Sequence, residues 1–183
     1  MLSITIPASE SEYYDEDTCE FMDFPEKRIE LEHSLASLYA WESKWHKPFL
    51  TTKMNAEETI DYIRCMTLTP NVDESVYERI TKKDLDKILN YIDDSHTATW
   101  FSKDVKEANK GKGSGESITA ELIYYWMTQS NIPFTCDKWH LNQLLTLIQV
   151  CSLKNAPPKK MSKRDIARRN KQINEARLAK RKR

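Results

Sequence analysis

The stretch Asp137-Lys-Trp-His-Leu-Asn-Gln-Leu-Leu-Thr-Leu-Ile-Gln-Val-Cys151 has the most regular hydrophobic pattern in the chain. Its apolar residues follow one another at helical spacings: Leu141, Leu144, Leu145, Ile148 and Cys151. Such spacing places them on one face of an α-helix, and Asp137 is a suitable N-cap residue. We therefore predict a helix from Lys138 to about Cys151 at the centre of the core.

The same kinds of signal predict further helices on the N-terminal side of this stretch. A short helix is expected from Asp73 to Ile80, and capping residues followed by periodic apolar positions occur at Ser34, Asn55, Thr81 and Ser117. The first of these helices is expected to end near Lys47 and the last near Ser130. Their predicted core faces are Leu35, Leu38, Trp41, Glu42 and Trp45; Ile60, Ile63 and Met66; Leu85, Ile88, Leu89 and Ile92; and Leu122, Ile123, Trp126 and Met127.

The first 33 residues have the alternating pattern of β-strands. Leu2, Ile4 and Ile6 alternate with polar residues, and so do Ile29, Leu31 and His33. Between these segments lie an acidic stretch with turn-forming residues, 9–17, and a possible short strand, 21–24. We predict a β-hairpin or small meander with one face packed on the helices, because a few short strands alone are marginally stable.

The distribution of charge divides the chain into an acidic part and a basic part. The 183 residues contain 28 basic and 28 acidic side chains, yet residues 154–183 hold 13 basic and two acidic ones, a net charge of about +11. Residues 1–153 then have a net charge of about −11. We predict a mainly α fold with a small N-terminal hairpin (α+β). It comprises an acidic helical body, 1–153, with a mobile loop at about 102–116, and a basic helical arm, 154–183.

Several functional classes are disfavoured by the residues. The glycine-rich loop Lys110-Gly-Lys-Gly-Ser-Gly115 lacks the spacing of a phosphate-binding loop, and no GxSxG motif occurs. Four separated cysteines and two Lys-Trp-His triplets, 44–46 and 138–140, lack metal-ligand spacing. We expect no enzymatic activity, cofactor or metal. Because no long apolar run or secretory signal is found, we expect a cytoplasmic protein without a membrane segment.

The basic arm predicts a partner. Its charge would attract nucleic acid or an acidic protein surface, although it has no aromatic residue for base stacking. A thin apolar stripe at Ile166, Ile173 and Ala176 favours a protein partner over nucleic acid. The arm's candidate binding residues are Ile166, Arg168, Arg169, Ile173 and Arg177. A merely solubilising helix is the remaining interpretation.

Several blocks of the sequence resemble one family. Leu31-Glu-His-Ser-Leu-Ala-Ser-Leu38 and Trp41-Glu-Ser-Lys-Trp-His-Lys-Pro-Phe49 are similar to tail assembly chaperones of long-tailed, siphovirus-like bacteriophages. The resemblance continues in three further places along the chain: Glu58-Thr-Ile-Asp-Tyr-Ile-Arg-Cys-Met66; Ile123-Tyr-Tyr-Trp126 with Ile132-Pro-Phe134; and Lys138-Trp-His-Leu-Asn142, running into Asn155-Ala-Pro-Pro-Lys-Lys-Met-Ser162. Together these blocks span nearly the whole chain.

The resemblance implies a role in virion morphogenesis. Such chaperones coat the tape-measure protein in the host cell cytoplasm, recruit tail-tube subunits, and are absent from the mature virion. A groove for a helical client would be lined by aromatic and adaptable side chains: Trp41, Trp45, Tyr124, Tyr125, Trp126 and Met127. The opposite charges of body and arm also suggest self-association. The alternatives are a structural virion protein of the neck or tail and a nucleic-acid-binding accessory protein.

Overall fold

A computed structural model describes residues 1–8, 13–15, 20–22, 24–101, 117–156 and 163–181. The strands are β1 (Leu2–Ile6), β2 (Tyr13–Asp15), β3 (Glu20–Met22) and β4 (Lys27–Leu31). The helices are α1 (Leu35–Trp45), α2 (Ala56–Met66), α3 (Glu74–Glu78), α4 (Lys82–Asp93), α5 (Ala120–Gln129), the 3-10 helix Phe134–Lys138, α6 (Leu141–Asn155) and α7 (Lys163–Arg181). The predicted α+β class is thereby confirmed. The predicted loop at 102–116 lies outside the described residues.

The first and last strands of the N-terminal segment form an antiparallel pair. β1 and β4 pair with Leu2 opposite Leu31 and Ile4 opposite Ile29. The apolar side chains of one face are buried, as the alternation predicts. After α2, the chain runs along the other edge of β4, where the Leu68 N–H donates to the Glu30 carbonyl at 2.8 Å.

A second antiparallel pair lies between these strands in sequence. β2 occupies three residues of the stretch for which we predicted acidic turns, and Tyr13 pairs with Met22 of β3. β3 begins one residue before the predicted strand at 21–24 and ends at Met22. Two tyrosines in β2 supply the β-forming residues that the acidic composition concealed.

The helices α1, α2 and α4 begin where their predicted caps lie, and α3 begins one residue after its predicted start at Asp73. The side chains of Ser34, Asn55, Asp73 and Thr81 all accept hydrogen bonds from backbone N–H groups of the first turn. α1 ends at Trp45, two residues before the predicted end, and the next residue adopts a left-handed conformation. The predicted face of α4 is wrong at Leu89, which is exposed, whereas Tyr91 is buried. The Tyr91 hydroxyl donates to Glu32 at 2.6 Å, and this bond orients α4.

The next two long helices begin later than predicted. α5 starts at Ala120 rather than beside Ser117, and Thr119 at its N-cap position makes no side-chain capping bond. Asp137 lies in the 3-10 helix and does not cap α6. Instead the Asn142 N–H donates to His140 Nδ1 at 3.3 Å. The Ala120 N–H donates to Glu42 Oε2 at 2.7 Å, and the Leu141 N–H donates to the His33 carbonyl at 2.7 Å. Contacts from distant parts of the chain thus help to fix both starts.

The chain forms two compact units, Met1–Cys151 and Ser152–Arg183. The core of the first unit is contributed by the sheet face and by helices α1 to α6, with Leu38 and Trp41 of α1 fully buried. The unit boundary lies two residues before the predicted start of the basic arm. The second unit contains the end of α6 and all of α7, and the described side chains of α7 are exposed.

Candidate partner-binding surface

Two of the aromatic-groove residues belong to the core. Trp41 and Met127 are fully buried among apolar side chains. The Trp41 Nε1–H donates to the Glu58 carbonyl at 3.0 Å, which satisfies the indole inside the α1–α2 contact. These side chains therefore lie beneath the surface and stabilise the first unit rather than facing a partner.

Trp45 lies at the joint between α1 and α2. Its Nε1–H donates to Asp61 Oδ2 at 2.8 Å, and the ammonium groups of Lys44 and Lys47 lie 5.9 and 5.7 Å from the ring centroid. Lys44 also pairs with Asp61, and Lys47 with Glu58. Burial alone would raise the pKa of Asp61, but the Lys44 and Trp45 bonds outweigh it and hold that pKa low. The half-buried indole therefore serves the charged contact between α1 and α2 rather than a partner-binding groove.

Aromatic rings from α1, α5 and the 3-10 helix meet edge to edge at the surface of the first unit, next to the exposed Tyr125 of α5. The ring centroids of Tyr39 and Tyr124 are 6.0 Å apart, and those of Tyr124 and Phe134 are 5.9 Å apart, both in edge-on arrangements. Tyr39, Tyr125 and Phe134 are 45%, 57% and 59% exposed. We call these four residues the aromatic surface. Trp126, the neighbour of Tyr125 in α5, packs partly against the core instead.

Carboxylates border the aromatic surface. The Tyr124 hydroxyl donates to Asp137 Oδ2 at 3.3 Å. Burial and the nearby Asp137 charge raise the pKa of Tyr124 to about 12, so its phenol is neutral and remains a donor at pH 7. Glu121 is exposed one turn before Tyr124 and Tyr125 on α5. The surface can thus bury apolar groups at its rings and pair with cationic groups at its border.

The predicted residues of the basic arm all lie on α7. Arg168, Arg169 and Arg177 are exposed, and Ile173 is 40% exposed. The side chain of Ile166 lies outside the described residues. The sequence therefore identified two groups of candidate residues, and they belong to two different units of the chain.

A histidine cluster, with His33 and His140 buried and His96 exposed, joins three segments of the first unit. It comprises His33, His96 and His140, with ring centroids of neighbouring histidines 5.1 and 4.1 Å apart, and the tyrosines Tyr62 and Tyr91. The His33 Nδ1 lies 2.5 Å from the Tyr62 hydroxyl, and His140 Nε2 lies 3.1 Å from the Tyr91 carbonyl oxygen. The alternation in β4 predicted that His33 lies on the buried face, but nothing in the sequence predicted that the three histidines lie close together.

Burial controls the charge of the two buried histidines, His33 and His140. It lowers the pKa of His33 to about 4, with a further contribution from His140, while Glu32 acts in the opposite direction. Burial likewise lowers the pKa of His140. Both rings are neutral at pH 7. Within the described ranges, no group of three or more His, Cys, Asp or Glu side chains is arranged to hold a metal ion.

Among the residues that the structure describes, no helix is both long and apolar enough to cross a membrane. Comparison of the chain with models of protein families, with curated proteins and with solved structures finds no match.

Proposed function

We propose that the protein is a phage tail assembly chaperone, a non-enzymatic protein that binds a helical segment of the tape-measure protein in the host cell cytoplasm. The single observation that supports this proposal best is the aromatic surface. The rings of Tyr39, Tyr124 and Phe134 lie edge to edge there, and Tyr125, the neighbour of Tyr124 in α5, is also exposed. Contiguous exposed apolar groups of this kind are typical of interaction sites in soluble proteins.

The chemistry of the aromatic surface suits an amphipathic helix. Tyrosine and phenylalanine rings bury a large apolar area while losing little conformational entropy, and truncating such an anchor typically costs about 1–3 kcal/mol of binding free energy. The Tyr124 phenol and its Asp137 partner offer polar contacts at the border. A tape-measure segment held here would have its apolar stripe covered and would stay soluble until tail-tube subunits replaced the chaperone.

Coexpression with tape-measure fragments tests the proposal. The substitutions Tyr125→Ala and Phe134→Ala remove exposed rings and leave the core intact, so the variant should fold but lose client solubilisation. We expect binding to weaken at least about tenfold. The matched control is Leu68→Ala with Trp100→Ala, which removes two exposed apolar side chains elsewhere. Equal loss in both double variants, or no loss in the first, would contradict the assignment of the surface.

The composition of purified particles separates this function from a structural role. A chaperone leaves before the virion is complete, so the protein should be abundant in infected cells and missing from finished tails. Quantitative mass spectrometry of both samples measures this directly. A stoichiometric presence in particles would favour the alternative of a neck or tail component.

A second candidate function, nucleic-acid binding, is favoured by one observation. α7 exposes Arg168, Lys171 and Arg177 together with the hydrogen-bonding side chains of Asn170 and Gln172. Such a helix can contact phosphates without reading bases. Retention on DNA that weakens steeply with salt, and that is abolished by Arg168→Glu with Arg177→Glu, would support this function over the chaperone proposal.

A further inference from the structure

One histidine joins the ends of two helices. His140 directly precedes α6, in the N-cap position, and its Nδ1 accepts the Asn142 N–H at 3.3 Å. On the other side of the ring, Nε2 lies 3.1 Å from the carbonyl oxygen of Tyr91, in the last turn of α4. Backbone groups at helix ends have no partner within their own helix. A single imidazole thus serves the start of α6 and the end of α4.

The two partners determine which nitrogen of the His140 ring carries a hydrogen. A carbonyl oxygen can only accept and a backbone N–H can only donate, so Nε2 must carry the hydrogen and Nδ1 must have none. The neutral ring with its hydrogen on Nε2 makes both bonds. A proton added at Nδ1 would set this nitrogen, as a second donor, against the Asn142 N–H.

The side chain of Asn142 extends the same junction. Its Nδ2 donates to the carbonyls of Ile92 and Asp94 at 3.0 and 2.8 Å. These bonds satisfy carbonyl groups at and just after the end of α4. Asp94 begins an irregular segment, 94–101, which is therefore tied to α6 through Asn142. A change in the position of Asn142 would loosen both the end of α4 and this segment.

The surroundings of His140 favour its neutral form. The titratable groups that face the ring come from the start of the chain, the end of β4, α4 and segment 94–101: the N-terminal ammonium, Glu32, His33, Tyr91, Asp94 and His96. Glu32 already accepts the Tyr91 hydroxyl and pairs with the N-terminal ammonium. Burial, aided by His96 and the N-terminal ammonium, lowers the pKa of His140, while the Tyr91 carbonyl and Glu32 act in the opposite direction.

We propose that His140 is a pH-sensitive latch: a proton on its Nδ1 releases the cap of α6 and loosens the junction that holds the end of α4 and segment 94–101. The imidazolium keeps the bond to Tyr91 and loses the bond from Asn142. Because the closed junction lowers the pKa of the ring, the open junction binds the proton more tightly. Opening is therefore favoured as the pH falls below about 6.5, the ordinary pKa of histidine. The inference rests on this geometry and not on the proposed client.

Nitrogen NMR of the imidazole rings in the full chain tests the first step. At about pH 7.5 the His140 ring should be neutral, with its hydrogen on Nε2 and none on Nδ1. Comparison with the variant His140→Asn assigns the signals, because those of this ring then disappear. A ring with its hydrogen on Nδ1, or a charged ring at that pH, would overturn the proposal.

Amide hydrogen exchange of the full chain tests the opening. Exchange is compared at about pH 6.5 and about pH 5.5, after correction for the intrinsic effect of pH on amide exchange. In peptides covering 91–96 and 140–144, opening should become up to about tenfold more frequent over this interval, since one proton is bound on opening. Peptides from α2 should change less. Unchanged protection at the junction would contradict the latch.

A substitution assigns the opening to His140. His140→Asn supplies an amide oxygen as the acceptor for the Asn142 N–H and does not titrate in this range, so exchange at 140–144 should lose most of its pH dependence. The matched control His46→Asn changes an exposed histidine whose left-handed conformation asparagine tolerates, and it should behave like the parent. His96→Asn removes a neighbouring ring that lowers the pKa of His140, so opening should begin at higher pH. Equal pH dependence in His140→Asn and the parent would overturn the proposal.

Discussion

At the scale of single residues, Glu42 shows how much depends on one buried carboxylate. Its Oε1 accepts the Phe49 N–H at 2.8 Å and its Oε2 accepts the Ala120 N–H at 2.7 Å. The first bond closes the turn after α1, and the second caps the start of α5, which is 78 residues away in sequence. The periodicity of α1 placed Glu42 on the buried face, but nothing near it in sequence indicated its two partners.

Removing this carboxylate should be costly. Glu42→Ala leaves two buried N–H groups without acceptors, and each such loss costs about 1–3 kcal/mol. We expect the free energy of unfolding, measured with urea, to fall by about 2–5 kcal/mol. Glu42→Gln keeps one acceptor oxygen and should lose less. The exposed Glu78→Ala serves as the control and should change stability by less than about 0.5 kcal/mol.

The histidine cluster makes stability depend on pH. His33 has a folded-state pKa of about 4 against about 6.5 when unfolded, so between these values the unfolded state binds more protons. The resulting loss in the free energy of unfolding is absent above about pH 6.5. It grows as the pH falls towards about 4, where it reaches roughly 3 kcal/mol. Urea midpoints measured from pH 7 to pH 4 should therefore decrease.

A substitution isolates the contribution of His33 to this slope. His33→Gln retains a polar partner for the Tyr62 hydroxyl but cannot titrate in this range. The variant should be less stable than the parent at pH 7 and should lose less stability on acidification. An unchanged difference between the two proteins across the whole pH range would show that His33 does not carry the pH dependence.

At the scale of elements, the sequence predicted those structures that depend on neighbouring residues. The alternation in β1 and β4 predicted the buried face of this strand pair, and local capping residues predicted the starts of α1, α2 and α4. α5 and α6 begin instead where their first N–H groups bond Glu42 and the His33 carbonyl, which lie far away in sequence. The aromatic surface could not be predicted as a unit for the same reason, because Tyr39 and Phe134 meet Tyr124 only in the folded chain.

Two capping substitutions distinguish these kinds of helix start. Asn55 and Glu58 form a reciprocal capping box, in which Asn55 Oδ1 accepts the Glu58 N–H at 2.7 Å. Asn55→Ala should therefore destabilise the protein by about 1 kcal/mol. Ser117, the cap that the sequence predicts for α5, precedes this helix by three residues, so Ser117→Ala should be nearly neutral. Urea denaturation of both variants makes the comparison, and equal losses would contradict it.

At the scale of the whole molecule, charge and core are distributed unequally. Every buried apolar residue that the structure describes lies between Ile4 and Ile148, and the net positive charge lies after residue 153. Hydrophobic burial is the main source of folding free energy, so the first unit contains the part of the chain that stabilises the fold. The second unit contributes positive charge and one exposed isoleucine, Ile173. This division suits a stable body that presents a basic helix for binding.

Truncation after Ala156 should separate the two properties. The shortened chain keeps all of α6 and the complete described core, so we expect its urea midpoint at low protein concentration to equal that of the full chain. Its mean residue ellipticity should change because the helical signal of α7 is lost, and its charge becomes strongly acidic. Circular dichroism during urea denaturation measures both quantities. A fall in the free energy of unfolding of more than about 1 kcal/mol would mean that residues 157–183 stabilise the body, since a change of that size exceeds the usual effect of altering exposed residues.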